Sequence, residues 1–192
     1  RLVGRDILCF SHDWTGDPLS KTHLMRVLSR DNRILWINSI ANRMPTASAK
    51  DASRIYKKIK SFFEPVREVE PNIFVLNPFA IPAYGSDAIV SANRKYLVRQ
   101  VKKAMADLGF NNAVNMVFNP AAGMVAGHVG ESELIYYCVD EYTAFTGNAA
   151  LKDIEEDLFR KSDLVIVSAE KLFETKHQFN PETHIIRHGT DW

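Results

Sequence analysis

Residues Leu134–Tyr142 read Leu-Ile-Tyr-Tyr-Cys-Val-Asp-Glu-Tyr, six apolar or aromatic residues in succession that stop at two carboxylates. A short run of this kind, rich in β-formers and with no polar alternation, suits a strand covered on both faces, the hallmark of a parallel sheet. In an open α/β sheet the carboxyl ends of the strands form the rim on which ligands bind. Asp140 and Glu141 stand where this strand would end. Asp140 is therefore a candidate site residue, whereas Glu141 has only its position to recommend it.

The rest of the chain repeats the theme. Strands are predicted at Asp6–Ser11, Arg33–Asn38, Ile73–Asn77, Val114–Phe118, Asp163–Val167 and Thr183–Arg187. Between them lie helical patterns. Ser20 can cap a helix in which Leu24, Val27 and Leu28 repeat at i, i+3, i+4. Ile55–Phe63 reads as a short amphipathic helix. Ala88–Leu108 places Leu97, Val101, Ala104, Met105 and Leu108 on one face, with Gly109 as a C-cap. Ala121–His128 is a weaker helix interrupted by Gly123 and Gly127. Asn148 and Ser168 can cap two further helices, the first burying Leu151, Ile154, Leu158 and Phe159. Strands alternating with helices predict a doubly wound parallel sheet of Rossmann-like type. The handedness of crossovers then brings every strand-to-helix loop to one rim.

Composition narrows the class of partner. Among 192 residues, 24 Lys and Arg face 23 Asp and Glu, a formal net charge of +1 with no basic block, so nucleic acid is not expected. Lys57, Lys58 and Lys60 form a small cluster that reads first as a solvated helix face and second as a peripheral membrane contact. Cys9 and Cys138 fall within predicted strands and read as buried thiols, which suits a reducing, cytoplasmic setting. No apolar run reaches membrane-spanning length, and no signal peptide precedes the first strand. The chain opens at Arg1 and closes on Thr190-Asp191-Trp192, which reads as a piece of a longer protein.

The first predicted loop, His12–Pro18, carries the most chemistry. His12, Asp13 and Asp17 are candidate cleft residues, and Gly16 could let the backbone approach a ligand beside a helix N-terminus. Gly-x-Gly-x-x-Gly and the Walker loop are both absent, which argues against a tightly cradled pyrophosphate here. His12, Asp13, Asp140 and Glu141 show no His-x-His or His-Glu-x-x-His spacing, so no metal is expected. There is no Gly-x-Ser-x-Gly elbow for a serine nucleophile. His128 reads as a capping or surface histidine before it reads as an acid or base. Glu133/Glu141 and Glu174/Glu182 share a spacing used by some sugar transferases, but the first pair straddles a buried strand and both are read as coincidence.

Taken in order, these segments resemble the N-terminal domain of a retaining GT-B glycosyltransferase of the polysaccharide and teichuronic-acid type. The resemblance rests on Leu24-Met25-Arg26-Val27-Leu28 followed by Arg33-Ile34-Leu35-Trp36-Ile37-Asn38, on the Tyr-x-Cys-x-Asp-x-Tyr strand end, on Ser162-Asp163-Leu164-Val165-Ile166-Val167-Ser168, and on His188-Gly189-Thr190-Asp191. Two departures stand out: His188 replaces the usual asparagine, and Asp140 stands where many relatives carry a histidine. The resemblance implies an acceptor-side domain spanning residues 1–192, facing a donor-binding C-terminal domain beyond this chain. It implies transfer of a sugar from a nucleotide-sugar to a saccharide or lipid-linked acceptor in cell-surface polysaccharide synthesis, with no cofactor beyond the donor substrate. It places Asp140 in the catalytic position, His12, Asp13, Gly16, Asp17, Asn119, Glu141 and Tyr142 along the acceptor cleft, and His188, Gly189 and Asp191 in the domain-closing loop. A nucleotide-sugar epimerase domain and a non-catalytic, receiver-like binding module are the competing expectations.

Overall fold

A computed structural model describes residues 2–16, 18–40, 65–80, 87–141 and 149–187. The apolar runs become eight strands: β1 (Asp6–Phe10), β2 (Arg33–Ile37), β3 (Arg67–Glu70), β4 (Ile73–Leu76), β5 (Val114–Val117), β6 (Glu133–Cys138), β7 (Leu164–Val167) and β8 (Thr183–Ile185). Their order across the sheet is β3-β4-β2-β1-β5-β6-β7-β8. All neighbours are parallel except β3, which pairs antiparallel with β4 at the edge. Arg67–Glu70 was not foreseen as a strand. Its Arg-Glu-Val-Glu sequence lacks the apolar signal because an edge strand covers little core, and charge there also discourages further pairing.

The described helices are α1 (Ser20–Leu28), α2 (Asp87–Leu108), α3 (Ala149–Lys161) and α4 (Glu170–Lys176), with a 3₁₀ turn at Pro120–Met124. None is long and apolar enough to cross a membrane. Successive strand residues face opposite sides, so two cores form. Leu8, Phe10, Leu35, Val117 and Tyr136 face α2, α3 and the 3₁₀ turn. Ile7, Cys9, Trp36, Met116 and Tyr137 face the other side, where Met25 of α1 packs. Helices on both faces make this a doubly wound, Rossmann-like α/β fold. The two cysteines lie on opposite faces, both buried and free.

Local expectations needed correction at three points. Ser20 is the first residue of α1 rather than its cap, and the side chain that bonds the free terminus is Thr22, whose hydroxyl accepts from the Leu19 N–H at 3.3 Å. Val27 points outward, 53% exposed, while Thr22, Met25 and Ser29 are buried. Ser168 does not cap α4; its hydroxyl donates to the Val139 carbonyl at 2.9 Å and ties the ends of β6 and β7 together. Ala121–His128 narrows to the 3₁₀ turn because Gly123 permits a very close approach to α3. A Cβ at Gly123 would sit 2.8 Å from the Ile154 carbonyl oxygen. The caps expected at Asn148 and the helix at Ile55–Phe63 lie outside the described residues.

Candidate functional site

The strand order reverses direction between β1 and β5: later strands build outward from β5, earlier ones from β1. At such a switch point the two crossovers leave on opposite faces and open a crevice at the carboxyl ends. The crevice is bounded by the loop after β1, the 3₁₀ turn after β5 and, one strand further, the end of β6.

The loop after β1 is held by neutral donors, with the Asp13 carboxylate as a brace. Trp36, wholly buried, donates its indole N–H to the His12 carbonyl at 2.9 Å. Trp14 packs edge-on against Trp36 with ring centres 5.0 Å apart, and its backbone N–H donates to Asn38 Oδ1 at 2.8 Å. Asn38 donates in turn to Asn77 Oδ1 at 2.6 Å, which joins the ends of β2 and β4. Asp13 accepts from the Ser39 N–H at 3.0 Å and from its hydroxyl at 2.7 Å. Asp13 is thus a brace between two strand ends.

His12 is held on every side. Its Nδ1 lies 3.1 Å from the Ser11 hydroxyl, its Nε2 3.4 Å from that of Thr22, and its ring meets Trp36 edge-on at 5.1 Å. Burial lowers its pKa below the ordinary histidine value, and the ammonium of Lys21 adds to the effect against the opposing field of Asp13. With both nitrogens facing hydroxyls, His12 orients the loop and the first turn of α1.

Gly16 closes a tight turn by donating to the Asp13 carbonyl at 3.0 Å. A Cβ there would meet that same oxygen at 3.2 Å, so the glycine serves the turn itself. Asn119 is buried with both ends of its amide engaged. Its Oδ1 accepts from the Ala121 N–H at 3.0 Å, and its Nδ2 donates to the Ile40 carbonyl at 3.3 Å. It caps the 3₁₀ turn and sutures it to the end of β2.

Asp140 is exposed at the end of β6. Glu141, next to it, turns toward α4 and receives a 2.6 Å bond from the buried Lys176. Deeper in the same region the Tyr136 hydroxyl donates to Glu155 at 2.5 Å, with both residues almost wholly buried. Burial raises the Glu155 pKa above the usual carboxylate value, against the lowering effect of the Tyr136 hydrogen bond and the Lys176 charge. The Cys138 thiol is pushed up to about 12, chiefly by its own burial. Neither cysteine is a nucleophile in this state.

Lys21 is the residue that sequence reasoning missed. It lies in the first turn of α1, where no acidic residue balances it and where the helix dipole opposes a cation. Burial lowers its pKa, while the fields of Cys9 and Asp140 act in the other direction. Among the described residues it makes no hydrogen bond or ion pair. His12, Lys21 and Asp140 thus stand within electrostatic reach across the switch point, although 119 positions separate Lys21 from Asp140. The only available signal was a lysine one residue inside a helix N-terminus.

Asp17, Tyr142, His188, Gly189 and Asp191 lie outside the described residues. His128 is exposed near the amino ends of β5 and β6, on the rim away from the crevice. Among the described residues no group of three or more His, Cys, Asp or Glu side chains converges as a metal site.

Neither models of protein families nor curated protein sequences match this chain. What the crevice can do follows from its groups alone. An exposed carboxylate accepts hydrogen bonds from hydroxyls, and a half-buried ammonium favours a negatively charged oxygen. Both stand on the rim where residues 12–16 and the 3₁₀ turn after β5 are held by the bonds described above.

Proposed function

We propose that this chain is the acceptor-side domain of a glycosyltransferase that moves a sugar from a nucleotide-sugar to a saccharide or lipid-linked acceptor. The observation that favours this reading most is that the exposed Asp140 carboxylate and the half-buried Lys21 ammonium lie within electrostatic reach of each other at the β1/β5 crevice. A hydroxyl nucleophile must be oriented, and negative charge develops on the departing diphosphate as the sugar leaves. Asp140 suits the first task by accepting the acceptor hydroxyl. Lys21 suits the second, or binds an anionic group of the acceptor. The ordered sequence segments that resemble GT-B enzymes support the same reading. In it, the donor is gripped by a further domain and this chain alone is inactive.

The test is to mix the chain, with and without the C-terminal extension of its parent protein, with nucleotide-sugars and an acceptor library, and to follow glycosylated product by mass spectrometry. Product is expected only when the extension is present. Turnover by the isolated chain would remove the division of labour, and nucleotide-sugar epimerisation without transfer would replace the reaction.

A further inference from the structure

The outer face of α2 carries more cations than any other described helix. Between Asp87 and Asp107 its sequence has five cations, Arg94, Lys95, Arg99, Lys102 and Lys103, and no Asp or Glu. All five are exposed. Only Lys103 has an ion-pair partner among the described residues, Asp107 one turn further on at 2.6 Å. Solvated helix faces ordinarily intersperse the two signs. α3 does so, with Lys152–Glu156, Arg160–Glu156 and Lys161–Asp157 pairs along its length.

The geometry is that of a stripe. Lys95, Arg99 and Lys102 follow one another at i, i+4 and i+7, while Leu97, Val101 and Ala104 on the opposite face are buried in the core. Lys95 to Lys103 spans about 12 Å at the rise of an α-helix. Ala92, Tyr96 and Val98 lie among the cations on this helix. Tyr96 is 43% exposed, an amphipathic ring among cations. A band of Lys and Arg with an aromatic at its edge is the composition that settles at the boundary between lipid headgroups and water.

We propose that this face of α2 docks on an anionic lipid bilayer. The complementarity is of charge, supplied by four cations in three turns that have no ion-pair partner among the described residues, with Tyr96 and Val98 as shallow apolar contacts. A nucleic acid fits less well, because the chain has no basic surplus to surround a phosphate backbone and the stripe is one helix wide. The face is separate from the β1/β5 crevice, so docking stands whether or not the crevice binds a sugar acceptor.

The test uses purified protein and extruded vesicles in a co-sedimentation assay. Vesicles containing 30% phosphatidylglycerol, a composition of about that anionic content, are compared with pure phosphatidylcholine. Binding is expected to the first only, and to disappear as salt rises to about 1 M and screening shortens to about 3 Å. At about five-fold per cation near an anionic surface, K95Q/R99Q/K102Q should lower partitioning about 100-fold. The variant R30Q/K152Q/K171Q removes the same charge from other exposed positions and should change partitioning by less than about three-fold. Circular dichroism melts of both variants establish that each is folded. Absence of binding to anionic vesicles at low salt would overturn the proposal, as would equal loss in the two variants. A duplex oligonucleotide bound through the same three residues, with vesicles ignored, would reassign the face to nucleic acid.

Discussion

The two sides of the candidate crevice are built by different physics. On the β1–β2–β4 side, loops are fastened by neutral donors and aromatic edges: Trp36 to the His12 carbonyl, Trp14 to Asn38, Asn38 to Asn77. On the β6–α3–α4 side the ties are ionisable: Lys176 to Glu141 and Tyr136 to Glu155. Neutral ties hold geometry across a wide range of pH and salt. Ionisable ones in a low-dielectric setting make geometry depend on protonation, and a broken partner is left at a cost. One side is therefore a fixed wall, and the other is adjustable.

Removing the centre of the fixed wall should have the largest effect. Trp36→Ala takes a wholly buried ring from the core and releases both Trp14 and the His12 carbonyl; a loss of about 3–5 kcal/mol in chemical denaturation is expected. A loss under 1 kcal/mol would mean that the wall is held elsewhere. On the adjustable side, Lys176→Met should cost less, about 1–3 kcal/mol, because Glu141 keeps 36% of its side chain in water and can resolvate. If Lys176→Met proved the costlier of the two, the contrast between the sides would be reversed.

The smallest effects are the pH slopes, and they carry opposite signs. The pKa of His12 is depressed in the folded state, so the unfolded chain takes up the proton first. Stability is lost as pH falls through the ordinary histidine value of about 6.5 toward the folded one. Glu155 is raised, so the folded chain holds its proton longer. Its contribution is fully present below the ordinary carboxylate value and is lost as pH rises through the folded one. Melting temperatures measured from pH 4 to 8 should show His12→Gln flattening the mild-acid loss and Glu155→Gln flattening the decline above the ordinary carboxylate range. Parallel slopes in the two variants would erase the distinction.

Much of the sheet was legible because buried parallel strands carry unbroken apolar runs, as β1, β2 and β6 do after a charged first residue and β7 does throughout; β5 is interrupted by the buried Asn115. Strand β3 was not, since an edge strand is written in charges. The site was half legible. The crevice follows from the strand order, and the position of Asp140 on its rim from the abrupt end of β6. The roles of Asp13, Asn119 and Glu141 were not legible, because each bonds to a group distant in sequence: Ser39, Ile40 and Lys176. Lys21 escaped for the same reason, its companions His12 and Asp140 being joined to it only by the fold. Glu155 and Lys176 are charged helix residues, yet both are buried.

The most direct test of the crevice is kinetic. The sugar transfer proposed for this domain together with a donor-binding domain should fall by about 10–100-fold in kcat/KM with Asp140→Asn, which keeps the shape and removes the charge proposed to orient the acceptor. The brace variant Asp13→Asn should lose stability more than rate. Unchanged transfer by Asp140→Asn, with the acceptor saturating as before, would contradict a site at the β1/β5 switch point built around this carboxylate.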